Sequence, residues 1–125
     1  MERRSLYIAI VDDEPSLREA IKGLLGSAGF RALTFASAEE FLNSTERDQI
    51  AFLILDIRLP GMSGLDLQRH LAATGYDVPV AFVTSHDDRD GRVRAQALEA
   101  GAVALLPKPF SGEQLLTVVK SAVGG

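Results

Sequence analysis

The 125-residue chain contains no cysteine and only two histidines. Disulfides and thiolate metal sites are therefore excluded, a zinc site has few ligands to draw on, and a reducing compartment suits the chain. No apolar run approaches the about 20 residues needed to span a bilayer; the longest, such as Ala51–Leu55, are far shorter. No basic start followed by an apolar stretch marks export. Basic residues number 13 against 17 acidic ones, and a net charge of −4 does not favour non-specific nucleic-acid binding. What remains is 46% hydrophobic and 24% charged, close to the globular average. The length suits about one domain of ~150 residues or fewer. The composition therefore suggests a single soluble domain over residues 1–125, cytoplasmic, with no membrane or nucleic-acid partner of its own.

Five short apolar runs stand out: Leu6–Val11, Ala32–Phe35, Ala51–Leu55, Val78–Val83 and Val103–Leu106. Those from Ala51 and Val78 are nearly continuous, as expected for strands covered on both faces. Helical patterns lie between them. Leu17, Ile21, Leu24 and Leu25 form one stripe of a first helix, with Gly26 and Gly29 as stop signals. Ser37, Ser63 and Ser111 each stand three residues ahead of Glu40, Asp66 and Gln114, the spacing of reciprocal helix caps. A fourth helix is expected over Asp87–Gly101 with Gly91 inside it, and a fifth over Gly112–Val123. The order βαβαβαβαβα predicts an α/β fold, a parallel sheet with helices on both faces. There is no internal repeat and no linker. Gly124-Gly125 read as a frayed end, either of a bare domain or of the first part of a longer protein.

In an open parallel sheet, ligands bind beyond the carboxyl ends of the strands. Asp12-Asp13-Glu14-Pro15 follows the first strand, Asp56 ends the third, Thr84-Ser85 end the fourth, and Pro107-Lys108-Pro109-Phe110 follow the fifth. Each has an ordinary reading by itself: a helix N-cap before Pro15, a loop aspartate, a strand threonine. Together they place several carboxylates, a hydroxyl and one lysine on one edge. Like-charged carboxylates gather there only if one is protonated or a cation is shared. Magnesium, which prefers hard oxygen ligands, is the obvious candidate. Neither a dinucleotide-type nor a triphosphate-type glycine loop follows the first strand. Metal-assisted phosphoryl transfer, with an aspartate as nucleophile, remains. His70 falls among polar helix neighbours and reads as solvated.

The residues Val11-Asp12-Asp13-Glu14, Leu55-Asp56-Ile57-Arg58-Leu59-Pro60-Gly61-Met62-Ser63-Gly64, Val83-Thr84-Ser85 and Lys108-Pro109-Phe110 resemble the receiver domain of two-component response regulators. The stretch Phe35–Leu42 is similar to receivers that precede a LuxR-like helix-turn-helix domain. The resemblance implies a doubly wound, flavodoxin-like five-stranded sheet in the order 2-1-3-4-5, with five helices. It implies that Asp56 accepts a phosphoryl group from a sensor histidine kinase. Asp13, Asp56 and the backbone carbonyl of Arg58 would hold Mg2+, with Asp12 acting through a water. Thr84 and Lys108 would contact phosphoryl oxygens, and the Lys108–Pro109 bond would be cis. Output would run through a transcriptional effector domain outside these residues.

Two positions depart from the family pattern. Leu105 stands where an aromatic switch residue is usual, and Pro107 precedes Lys108, suggesting a short or edge fifth strand. A phosphorylation-dependent dimer would use Val93, Ala97 and Leu105. Arg58 and His86 flank the expected mouth of the site, where they would lengthen the phosphoryl lifetime and make it pH-dependent. Two other readings are a metal-dependent phosphatase and a degenerate scaffold. The phosphatase would want an acid where Arg58 stands, and the intact Asp12, Asp13, Asp56, Thr84 and Lys108 speak against a scaffold.

Overall fold

The computed structural model describes residues 7–84 and 91–123. Strands β1 (Tyr7–Val11), β2 (Arg31–Phe35), β3 (Ile50–Asp56), β4 (Val80–Thr84) and β5 (Ala104–Pro107) alternate with helices α1 (Pro15–Ser27), α2 (Ala38–Leu42), α3 (Gly64–Ala73), α4 (Arg92–Glu99) and α5 (Gly112–Val123). A short 3-10 turn, Arg47–Gln49, leads into β3. The strands pair in parallel in the order 2-1-3-4-5. The expected alternation, order and helix count hold. Among the described residues, no helix is long and apolar enough to cross a membrane.

Successive strand residues bury against opposite layers. Ile10, Ile54 and Val83 pack with Ile21 and Leu25 of α1 and with Leu115 and Val119 of α5. Val11, Leu55 and Phe82 pack on the other face with Phe41 of α2, Leu67 and Leu71 of α3, and Ala97 of α4. Two covered faces explain why β3 and β4 read as unbroken apolar runs rather than as alternation.

Helix ends show where sequence spacing sufficed. The Ser37, Ser63 and Ser111 hydroxyls accept the N–H groups of Glu40, Asp66 and Gln114 at 3.0, 3.1 and 3.0 Å. At Ser111 the exchange is reciprocal, its N–H donating to Gln114 Oε1 at 2.8 Å. Glu40 instead reaches one residue further back, to the Ala36 N–H, and Asp66 pairs with Arg69 at 3.6 Å. Gly26 does not stop α1; it lies in the last turn, and Gly29, at φ 91°, ends the helix. There the Phe30 N–H bonds the Leu25 carbonyl at 2.9 Å, closing a Schellman turn. Gly91 is not inside α4 either: it occupies the N-cap position at φ 72°, so the helix starts at Arg92. The expected first turn from Asp87 lies outside the described residues, as do His86 and Gly124-Gly125.

β5 is an edge strand of four residues, as Pro107 suggests. The Val103 N–H donates to the Val80 carbonyl at 2.8 Å, and the Lys108 N–H donates to the Thr84 carbonyl at 2.7 Å. Four steps along one strand thus answer five along the other. Pro107 lies opposite Thr84 but has no N–H to give, so the next residue supplies the bond.

Gly64 opens α3 and donates its N–H to the Ile57 carbonyl at 2.9 Å. A Cβ there would overlap the Asp56 carbonyl oxygen and lie 3.0 Å from Ile57 Cα, so backbone would have to move. Gly23, inside α1, is different: nothing lies within 4 Å of the place a Cβ would take. Gly64→Ala is therefore expected to destabilise the fold by about 1–3 kcal/mol. Gly23→Ala is expected to stabilise it by up to about 1 kcal/mol. Urea unfolding midpoints that move in opposite directions for the two variants are the expected result.

Candidate functional site

The sheet register builds the site. Val11 pairs with Leu55, so Asp12, one residue on, comes level with Asp56 at the end of β3. Asp56 in turn pairs with Val83, and Thr84 with Pro107. This is also where strand order reverses, with β2 on one side of β1 and β3 on the other. Asp12, Asp13, Asp56, Thr84 and Lys108 thus meet at one edge, as the sequence predicts.

Asp12, Asp56 and Thr84 are the buried polar residues of the described chain, while Asp13 is exposed. One carboxylate oxygen from each of Asp12, Asp13 and Asp56 lies within 4.8 Å of the others. The Lys108 ammonium sits 3.7 Å from Asp12 Oδ2, 3.7 Å from Asp56 Oδ2 and 3.5 Å from Glu14 Oε1. The Arg58 N–H donates to Asp56 Oδ1 at 3.1 Å, and the Glu14 N–H donates to Asp12 Oδ1 at 2.9 Å. The Lys108–Pro109 bond is cis.

Burial pushes the Asp56 carboxyl up to about 6, and the neighbouring Asp12 charge adds to the effect; the Arg58 N–H and Lys108 pull the other way. Asp12 is raised too, chiefly by burial. Burial works against the Lys108 ammonium, but Asp56, Asp12 and Glu14 outweigh it and hold its pKa above the usual value. One lysine therefore faces more negative charge than it neutralises. An all-oxygen set of this kind, two members buried and one open to solvent, suits a hard divalent cation.

Some assignments change. Glu14 occupies the N-cap position of α1 without a side-chain capping bond; its carboxylate faces Lys108 instead. Ala97 is completely buried, so it belongs to the core and offers no area to a second copy. Val93 and Leu105 are half-buried against that core. Arg58 is exposed, His70 is exposed as expected, and His86 lies outside the described residues. Two contributors escape sequence reasoning. Arg18 donates from its guanidinium to the Asp12 carbonyl at 2.8 Å, and Glu39 accepts the Met62 N–H at 3.0 Å. Arg18 does carry a signal, standing one helical turn after Glu14; Glu39 has none, because its partner is 23 residues away.

The family model of the response regulator receiver domain matches residues 8–120. The chain belongs to that family. The receiver is 41% identical to the response regulator protein TodT of Pseudomonas putida over 123 residues, 98% of this chain and 53% of TodT. It is 31% identical to the transcriptional regulatory protein FixJ of Bradyrhizobium diazoefficiens over 117 residues, 94% of this chain and 56% of FixJ. A solved structure of the response regulator StyR superposes with a TM-score of 0.86 at 40% identity, covering 97% of this chain and 60% of StyR. The receiver thus spans about half the length of its curated relatives.

The Asp56 pKa carries a sign. Its native value lies above its ordinary 3.8, so its contribution to stability is full below about 3.8 and is lost as pH rises through about 6. In chelator-containing buffer, stability should fall between about pH 4 and pH 7, and Asp12 adds in the same direction. Asp56→Asn should remove much of that slope and be more stable than wild type at pH 7 by about 2–3 kcal/mol. Urea unfolding of both proteins at the two ends of this range checks it; parallel pH profiles would contradict it.

Proposed function

We propose that this receiver is the phosphoacceptor of a two-component signalling system. The Asp56 carboxylate attacks the phosphorus of a sensor kinase's phosphohistidine, a P–O bond forms, the P–N bond breaks, and the imidazole leaves with its electron pair. The observation that carries the reading is a buried carboxylate, Asp56, held 3.7 Å from the Lys108 ammonium within a group of three aspartates. Asp13, Asp56 and the Arg58 carbonyl would hold Mg2+, with Asp12 acting through a water. When bound, Mg2+ supplies positive charge against the oxygens of the transferring group. The chain's own residues do the rest. Asp56 is positioned by the Arg58 N–H at 3.1 Å. Lys108 leaves its carboxylate partners to pair with one phosphoryl oxygen, and the Thr84 hydroxyl donates to another. Such preorganised donors are the main catalytic resource when charge spreads over equatorial oxygens.

Output follows from the same movement. Thr84 and Lys108 are bonded through their backbones at 2.7 Å, so a pull on one side chain reaches β5. Leu105 lies on that strand, half-buried against the core, and an aliphatic shift there would alter the α4–β5 face carrying Val93. That face would pair two phosphorylated copies. The names of relatives such as FixJ favour transcriptional control through an effector domain, of which the LuxR-like helix-turn-helix is one kind.

Incubation with acetyl phosphate and Mg2+ should add one phosphoryl group to the intact mass of wild type. Asp56→Asn, or chelator, should abolish the gain. Lys108→Ala should slow it by about 100-fold, the typical loss for one transition-state donor. A gain that survives in Asp56→Asn would overturn the reading. In a separate measurement, Arg58→Ala should shorten the phosphoryl lifetime. A dephosphorylation rate within about twofold of wild type, roughly 0.4 kcal/mol in barrier, would show that Arg58 does not set it.

A further inference from the structure

Two adjacent glutamates open α2, and their side chains go to different places. Glu40 serves its own helix: Oε1 accepts the Ala36 N–H at 2.9 Å. Glu39 leaves the helix, and its Oε2 accepts the Met62 N–H at 3.0 Å. Met62 closes the Pro60-Gly61 turn, where Gly61 has φ 76°. Proline followed by a left-handed residue is the pattern of a type II turn, and glycine meets it without strain. A Cβ on Gly61 would lie 2.8 Å from Glu39 Oε2. The carboxylate therefore occupies the notch that a missing side chain leaves. The same N–H bond holds the Glu39 carboxyl below its ordinary range.

Segment 57–63 joins Asp56 to α3 without secondary structure of its own beyond turns. Its inner side is fastened by Ile57 and Leu59, both buried, and by the Arg58 N–H on Asp56 Oδ1. Pro60 and Gly61 are exposed on its outer side, and there Glu39 reaches across from α2. Ordering such a segment costs conformational entropy at every residue, and a charge-assisted bond at its far end offsets part of that cost.

We propose that Glu39 is a positioning residue for the Asp56 site: by gripping the 57–63 segment from α2, it fixes the Arg58 peptide. The Arg58 N–H then stays on Asp56, and the Arg58 carbonyl stays available to a divalent cation. This rests on the function proposed above, because only that reading makes the Arg58 carbonyl a ligand.

The test compares Glu39→Ala, Glu39→Gln and Glu40→Ala with wild type. Mg2+ alone is titrated and followed by amide NMR shifts, and amide hydrogen exchange at Met62 and Arg58 is measured without metal. Glu39→Ala should bind Mg2+ about tenfold more weakly, the low end of losses seen when an outer partner of a ligand is removed. Its Met62 and Arg58 amides should exchange about tenfold faster in the metal-free protein. Glu39→Gln keeps an acceptor oxygen and should return Mg2+ affinity to within about threefold of wild type. Glu40→Ala loses the same charge from the same helix and should leave Mg2+ affinity unchanged. Mg2+ binding by Glu39→Ala within about twofold of wild type would overturn the proposal. Equal weakening in Glu40→Ala would overturn it too, since net charge would then be the cause. If wild type binds no Mg2+, the proposed function fails; unchanged exchange in Glu39→Ala, with Mg2+ binding intact in wild type, sinks the grip alone.

Discussion

Carboxylates crowded at one edge of the sheet govern this structure. Two buried aspartates face one lysine, with a third aspartate beside them at the surface. Separated in sequence by 44 residues, Asp12 and Asp56 become neighbours because β1 and β3 pair in parallel, with Val11 level with Leu55. Moving them apart would mean slipping the register, and a one-residue slip turns every buried strand side chain to the wrong layer. The hydrophobic core thus enforces a repulsion that local preference alone would relax. Stability taken from the packed faces is spent at the carboxyl edge, where the carboxylates are held together.

The two ends of the sheet are built differently. At the carboxyl edge, backbone groups aim at carboxylates: the Glu14 N–H at Asp12, the Arg58 N–H at Asp56 and the Met62 N–H at Glu39. At the opposite edge the hydrogen bonds go to backbone carbonyls, and two arginines, Arg31 and Arg47, lie over the rings of Tyr7 and Tyr76. The Tyr76 hydroxyl donates to the Arg47 carbonyl at 2.7 Å, and burial drives its pKa to about 12. Gln68 donates to the Ala100 carbonyl at 3.0 Å, tying α3 to the end of α4. One end gathers carboxylates, while the other ties helices and loops to the sheet.

Much of this is legible in residue order because the signals are local or repetitive. Unbroken apolar runs separated by helical stripes define a parallel α/β sheet, and the loops after its strands must share an edge. Serine caps at Ser37, Ser63 and Ser111 are set by three-residue spacing, and all three form. Positions decided by three-dimensional approach are harder to read. Gly26 and Gly29 look alike on paper, and only the path of the chain into β2 selects Gly29 as the stop. Gly64 reads as part of a capping pattern, yet its lack of a side chain is required by the Asp56 carbonyl. Ala97 carries helical spacing that suits a surface contact as well as a core one, and the sheet claims it. Glu14 offers the same ambiguity between cap and ion-pair partner until Lys108, 94 residues on, is placed beside it.

Pro107 adds a constraint of a different kind. Because it has no N–H, the ladder borrows the donor of Lys108, and five steps of one strand are matched to four of its neighbour. The residue that gives this bond is also the one whose ammonium lies 3.7 Å from Asp12 and Asp56. A chain one residue shorter or longer between Val103 and Lys108 would therefore bring a different residue to the Thr84 carbonyl. Along this strand the number of residues bears on the site in its own right, beside their identity.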